Sequence, residues 1–155
     1  MEIFVRRFIR ASLVWLGTGV LIGVSMAFWP NEAIVYRPAH VHANLLGFVS
    51  MMIFGVAYHV IPRFTGNPLH SRRMARAHLW IANSGLALLV GGWVARVMWG
   101  TAGVIMVRSG AAISAVGAAF FIYNLWRTLE PAPAPKTGAH RRRVLPETRP
   151  LEPVT

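Results

Sequence analysis

Four long apolar runs constrain the fold of this chain more than any other feature of its sequence. They lie at about residues 11 to 29, 40 to 61, 78 to 97 and 104 to 126, and each can cross about 30 Å of hydrocarbon as a helix. Only 14% of the residues are charged, whereas soluble domains average about 25%. The sequence therefore predicts an all-α fold, a four-helix transmembrane bundle. Because the connections are short, neighbouring helices are expected to be antiparallel.

Prolines and composition set the predicted boundaries. Pro30 and Pro62 follow the first two runs and are expected to end those helices, because proline lacks a backbone donor and clashes with the preceding turn. From residue 130 the chain is rich in proline and charge, which is typical of disorder. We therefore predict a membrane domain over 1–129 and a disordered, basic, Pro-rich cytoplasmic tail over 130–155.

The basic residues predict an orientation. The net charge of +11 would suit a nucleic-acid ligand, but the charges lie between the apolar runs and in the tail, so we predict the lipid bilayer and no nucleic acid as partner. Lys and Arg concentrate before the first run, between the second and third, and after the fourth: Arg6, Arg7, Arg10, Arg63, Arg72, Arg73, Arg76, Arg127, Lys136 and residues 141 to 143. The positive-inside rule then places both termini in the cytoplasm. We expect a multi-pass protein of the bacterial inner membrane whose first run is an anchor, not a cleaved signal peptide.

Two histidines open the second run, in "AHVHANLLGFVSMMIFGVAYHVIPRFTG". Residues i and i+2 of a helix point about 200° apart, so a helical His40 and His42 would face different partners, which suits haem irons. An extended segment after Pro38 would instead let both imidazoles converge on copper or zinc. Hydrogen bonding to a carbonyl is the purely structural alternative. Haem is favoured over a bare metal because Glu32 is the only nearby carboxylate and the chain has no cysteine.

The same stretch resembles the tenth helix of subunit I of the haem-copper oxidase superfamily. That helix begins with Ala-His-x-His, continues through a Gly- and Phe-rich run and ends aromatic-x-x-Pro-x-x-x-Gly. The following "SRRMARAHLWIANSGL" looks like the start of the eleventh helix. The resemblance covers roughly residues 37 to 95. A looser likeness is to the NnrS family of haem- and copper-containing membrane proteins.

The resemblance implies that His40 and His42 are axial ligands to two different haems. It also implies that Arg96, with Arg37 and Arg108 as neighbours, pairs with haem propionates; contact with lipid headgroups is the alternative. Subunit I has twelve helices, a His-Pro-Glu-Val helix and a His-His pair, all beyond what this chain holds. No second-metal site is visible, and oxidase activity by the chain alone is not expected.

The predicted function is that of a small b-type cytochrome, binding haem b for electron transfer. The alternatives are a haem protein that binds or reduces nitric oxide or binds oxygen, a cofactor-free assembly subunit of a respiratory complex, and a copper-handling protein. His59 and His78, at the far end of the bundle, are candidates for a second haem or copper ion. Because the twelve family helices form three arcs of four, a homotrimer or homodimer with haem between copies is expected, or a subunit of a respiratory complex. The glycine patterns that suit close packing or self-association are Gly19 with Gly23, and Gly103 with Gly110 and Gly117.

Overall fold

The computed structural model describes residues 1–130, and all regular structure in that range is helical. Within these residues, four helical spans are long and apolar enough to cross a membrane. They confirm the predicted all-α transmembrane fold. The second span runs without a break from Pro30 to Thr65. In chain order the elements are α1 Ile3–Phe28, a 3-10 turn Pro30–Glu32, α2 Ala33–His42, a π-helical segment Ala43–Ser50, α3 Met51–Thr65, α4 Arg72–Trp99 and α5 Thr101–Leu129.

The helices extend beyond the apolar runs that predicted them. Pro30 does follow the end of α1, but the expected helix end at Pro62 is wrong, because Pro62 lies inside α3. A proline there removes one backbone donor near the end of the helix, which α3 tolerates. The helix ends instead at Gly66, whose φ of 69° is a left-handed conformation that glycine adopts easily. The predicted tail from residue 131 onward lies outside the described residues, so its disorder stays a prediction.

The glycines predicted to allow close packing lie at contacts within this chain. Three of them lie on α5 directly against the backbone of antiparallel α4: Gly103 at Arg96, Gly110 at Leu89 and Gly117 at Ala82. A Cβ at Gly110 would collide with the Leu89 backbone. Gly19 and Gly23 of α1 likewise lie against side chains of the second span. These stripes are therefore covered within one copy of the chain.

An aromatic cluster fills the bundle near the start of α1. The buried ring of Phe8 lies 5.0 Å from the ring of His78, and Phe54 lies 4.7 Å from it, centroid to centroid. Tyr58 and Phe121 pack in the same cluster, with their ring centroids 5.3 Å apart. The cluster joins α1, α3, α4 and α5. Large apolar residues such as Leu21 and Ile53 are exposed on the outside of the helices, as lipid-facing positions in a bilayer are expected to be.

Two buried polar residues of α5 fix the loop between α3 and α4. Asn124 accepts a hydrogen bond from the backbone N–H of Ser71 at 2.8 Å and donates one to the Ser71 carbonyl at 2.9 Å. The Thr128 hydroxyl accepts from the backbone N–H of His70 at 3.0 Å. Ser71 in turn caps α4, because its hydroxyl accepts from the N–H of Met74. The start of α4 thus depends on α5.

We predict that Asn124→Ala lowers the free energy of unfolding by about 2 kcal/mol, because it leaves both backbone groups of Ser71 without these partners. The measurement is the thermal denaturation midpoint of the purified protein in detergent. Asn31→Ala is the control, since Asn31 is exposed and should leave the midpoint unchanged. Equal midpoints for Asn124→Ala and the unsubstituted protein would contradict the proposed clamp.

Candidate functional site: the histidine pair of the second span

His40 and His42 both belong to α2, so the alternative of an extended segment after Pro38 is wrong. His40 faces α1, where its Nδ1 lies 2.9 Å from the Gly19 carbonyl. His42 faces α4, and its ring stacks on Trp93 with centroids 6.5 Å apart and an interplanar angle of 21°. The two imidazoles therefore contact different helices and do not share one position for a small metal ion.

The hydrogen bonds of the two rings settle which nitrogen carries the proton. A backbone carbonyl can only accept, so Nδ1–H of His40 donates to Gly19 and Nδ1–H of His42 donates to Pro38 at 2.6 Å. In a neutral imidazole the other nitrogen, Nε2, then carries the lone pair. Histidines that bind metals usually have this arrangement, with the outer N–H held by a carbonyl or carboxylate.

The lone-pair nitrogens have no hydrogen-bond partner in the described part of the chain, residues 1–130. Neither is fully buried, either: the polar side-chain atoms in that range that are fully buried and without a partner belong to His78, Trp93 and Ser114. Both histidine side chains are half-buried. Each Nε2 is therefore an available ligand atom on a ring whose opposite side is fixed.

Two glycines of α1 and Asn44 determine the position of the His40 ring. A Cβ at Gly23 would lie 2.8 Å from Cε1 of His40, so only glycine leaves room for the ring in this place. A Cβ at Gly19 would likewise overlap the side chain of Asn44. The Asn44 amide donates to the His40 carbonyl at 2.9 Å, and its nitrogen approaches Nδ1 of the same histidine at 3.4 Å. Sequence reasoning missed Asn44, although its spacing of four residues from His40 places it on the same helix face.

A π-helical segment, Ala43–Ser50, directly follows the histidines. Its wider turns change the rotation between α2 and α3, and the Ser50 hydroxyl donates to the Leu45 carbonyl five residues earlier at 2.9 Å. Such segments are rare and occur frequently at functional sites. The apolar sequence of the segment gives no signal that would distinguish it from an α-helix.

One of the three predicted arginines is connected to His42 through Trp93. The guanidinium carbon of Arg96 lies 4.8 Å from the centroid of Trp93, and Trp93 stacks on His42. The Trp93 indole N–H is buried without a partner in the described part of the chain. Arg37 on α2 and Arg108 on α5 are both exposed, and neither forms an ion pair with a described residue. Arg96 is therefore the arginine that the fold connects to the histidines.

The other two histidines are not brought together. His78 is fully buried, and its Nδ1 lies 3.1 Å from the Tyr58 hydroxyl. His59 is half-buried and accepts a hydrogen bond from Arg63 at 3.1 Å. Successive residues such as Tyr58 and His59 point about 100° apart on a helix. Within residues 1–130, no three His, Cys, Asp or Glu side chains lie close enough to share one metal ion.

The fold and the histidine pair define a class: multi-pass helical membrane proteins with two divergent imidazoles on one span. Within that class, the chain is similar to subunit I of cytochrome c oxidases. It is 30% identical to the Cbb3-type cytochrome c oxidase subunit CcoN1 of Stutzerimonas stutzeri, over 81% of this chain and 33% of that protein. It is 29% identical to cytochrome c oxidase subunit 1 of Rhodobacter capsulatus, over 64% of this chain and 23% of that protein. A bacteroid homolog of subunit 1 from Bradyrhizobium diazoefficiens is 25% identical, over 58% of this chain and 21% of that protein.

These relatives confirm the resemblance to subunit I predicted from the sequence. The matched share of the chain is larger than residues 37 to 95 alone. The chain spans about a third of the length of the first relative and less of the other two. No protein-family model matches the chain. The likeness to the NnrS family stays a prediction.

We predict that Gly23→Val displaces the His40 imidazole from the Gly19 carbonyl, because the added side chain would overlap the ring, and that this overpacking costs about 1–3 kcal/mol. Nitrogen NMR of the protein labelled at histidine should show the loss of the hydrogen-bonded Nδ1 signal of one residue. Gly17→Val, on the same helix, is the matched control because a Cβ there meets nothing within 4 Å. An unchanged histidine spectrum for Gly23→Val would show that the ring is not held in this way.

Proposed function

We propose that this chain is a small b-type cytochrome of the bacterial inner membrane that binds haem b through His40 and His42 and transfers electrons. The main support is the hydrogen bonding of the two imidazole rings. Each Nδ1–H is fixed on a backbone carbonyl, and neither Nε2 has a hydrogen-bond partner within residues 1–130, on rings that face different helices. The similarity to subunit I of cytochrome c oxidases adds independent support.

The ligand atoms fit haem iron. Neutral imidazole is a common axial ligand, and the absence of cysteine from the sequence excludes covalent attachment of the c type. The carbonyl that accepts from Nδ1 also makes Nε2 a more basic ligand and fixes the ring plane. Bound haem would supply one-electron chemistry whose potential depends on its axial ligands and surroundings.

Arg96 and Trp93 are the residues we assign to the acidic edge of the haem. A guanidinium forms charge-assisted, bidentate hydrogen bonds with carboxylates such as propionates. The stack from His42 through Trp93 to Arg96 would place such a charge beside the proposed ligand. Arg37 and Arg108, on neighbouring helices, are proposed as secondary partners.

Each histidine supplies one ligand, and the two diverge. We propose that a second axial ligand for the same iron comes from another chain, either a second copy in a homodimer or homotrimer or a subunit of a respiratory complex. A copy-to-copy site fits the resemblance to subunit I, whose twelve helices form three arcs of four. We accordingly propose that haem lies between chains.

We predict that His40→Ala and His42→Ala each lower the haem bound per chain by about half, because each removes one axial ligand. The full chain is purified from a haem-replete host, and haem is quantified from the reduced-minus-oxidised spectrum. His70→Ala is the control, since His70 is exposed in the loop before α4 and should leave the spectrum unchanged. A Soret band that persists in the His40→Ala/His42→Ala double variant, or a colourless unsubstituted protein, would overturn the assignment.

A gas-binding haem protein or a nitric oxide reductase is the second candidate. It is favoured by the single imidazole on each side of the helix, which leaves an iron five-coordinate unless another chain completes it. Carbon monoxide distinguishes the two functions. We predict that the reduced spectrum does not change on addition of carbon monoxide, because an electron carrier has both axial positions filled. A shifted Soret band would instead favour gas binding.

A further inference from the structure

We propose that a basic cavity between the first turns of α1 and α4 binds the headgroup of an anionic phospholipid, and that one acyl chain of that lipid lies in the groove that continues along the same two helices. The basic cavity has a volume of about 490 Å³, and Arg7, Arg72, Arg76, Leu79 and Trp80 are among its lining residues. It is independent of the histidine pair, which lies toward the other end of the bundle.

The charges in the basic cavity are only partly neutralised. Arg72 forms an ion pair with Glu2 at 3.2 Å, and both side chains are exposed. Arg7 and Arg76 form no ion pair with a carboxylate in the part of the chain that the structure describes. Glu2 also lines the cavity, so three guanidinium groups share it with one carboxylate, and Arg7 and Arg76 are left without an ion-pair partner among residues 1–130. Their planar fork of N–H donors matches the oxygens of a phosphodiester.

An apolar groove continues directly from the basic cavity into the span. It has a volume of about 480 Å³ and shares Arg7, Leu79 and Trp80 with the cavity. The groove extends past Ala11 to Asn83. The amide group of Asn83 already has hydrogen-bond partners, because it donates to the Leu79 carbonyl at 2.7 Å and accepts from the Trp15 indole at 3.0 Å. The groove therefore offers an apolar wall, which suits a hydrocarbon chain.

The position in the membrane favours a lipid over a free anion. Arg7 and Arg76 lie in the first two turns of helices that go on to cross the bilayer, so their side chains lie at the level of phospholipid headgroups. Trp80 is 68% exposed beside them, and indole rings prefer this interface. Basic pockets between membrane helices are known to bind anionic headgroups. A charged cavity joined to an apolar groove has the shape of one lipid molecule, whereas inorganic phosphate would fill only the charged part.

The test is a lipid titration of the purified full chain in detergent, followed by native mass spectrometry. Phosphatidylglycerol is compared with phosphatidylcholine of the same acyl chains. We expect Arg7→Gln/Arg76→Gln to lower the affinity for phosphatidylglycerol by about tenfold or more, as the loss of two headgroup contacts implies. Arg6→Gln/Arg73→Gln is the matched control, since it removes the same charge from the same helix turns without touching the lining of the cavity. The control should stay within about twofold of the unsubstituted protein.

Several results would overturn the proposal. Equal losses in the two double variants would show diffuse surface attraction, and equal binding of both lipids would show no headgroup preference. Displacement of phosphatidylglycerol by millimolar inorganic phosphate would show a free-anion site without a chain requirement. Phosphatidylglycerol brominated on its acyl chains should quench tryptophan fluorescence less in Trp80→Phe than in the unsubstituted protein; equal quenching would place the chain elsewhere. The arginines replaced in the two double variants are all exposed. If Arg7→Gln/Arg76→Gln elutes as aggregate, the single variant Arg76→Gln takes its place.

Discussion

Inside a bilayer every backbone N–H and C=O has to find a partner within the protein, and this constraint governs the second span. Hydrocarbon cannot hydrogen-bond to an interrupted helix, so the chain stays helical through Pro38, through the π-helical segment and through Pro62. A soluble chain with the same prolines would lose less by breaking its helix. The continuity also decides the geometry of the site, because His40 and His42 diverge only as long as both are helical.

The parts of the fold that depend on hydrophobicity could be predicted from the sequence, and the parts that depend on contacts could not. The four apolar runs identify the spans, since about 20 apolar residues suffice to cross the bilayer. They do not identify the helix ends, because charged residues such as Arg7 and Arg76 continue a helix into the headgroup region. The mutual clamp of Asn124 and Ser71 has no sequence signal, since the two residues are far apart in the chain.

In the candidate site, too, some features could be predicted from the sequence and others depend on contacts. Spacing alone predicts that two helical histidines at i and i+2 diverge, and the resemblance to subunit I selects Arg96. What each ring contacts is a tertiary result: His40 needs the space left by Gly23 and the carbonyl of Gly19, and His42 meets Trp93. The first of these contacts uses a glycine pair that the sequence would equally allow for self-association. Because both glycine patterns are covered within the chain, these glycines are not free for contacts between copies.

The two ends of the bundle differ in the kind of negative partner that they can hold. At the end where α1 and α4 begin, exposed arginines face a cavity that continues into an apolar groove, which suits a single mobile lipid. At the other end, Arg96 packs over Trp93, and Trp93 stacks on His42, so an aromatic ring connects this arginine to a proposed ligand. A guanidinium already ordered by an aromatic face loses less conformational freedom when it binds a carboxylate. The arginine that packs on Trp93 is therefore the better partner for a cofactor that has to keep one orientation, and those without such a contact are the better partners for lipids that exchange with the bilayer.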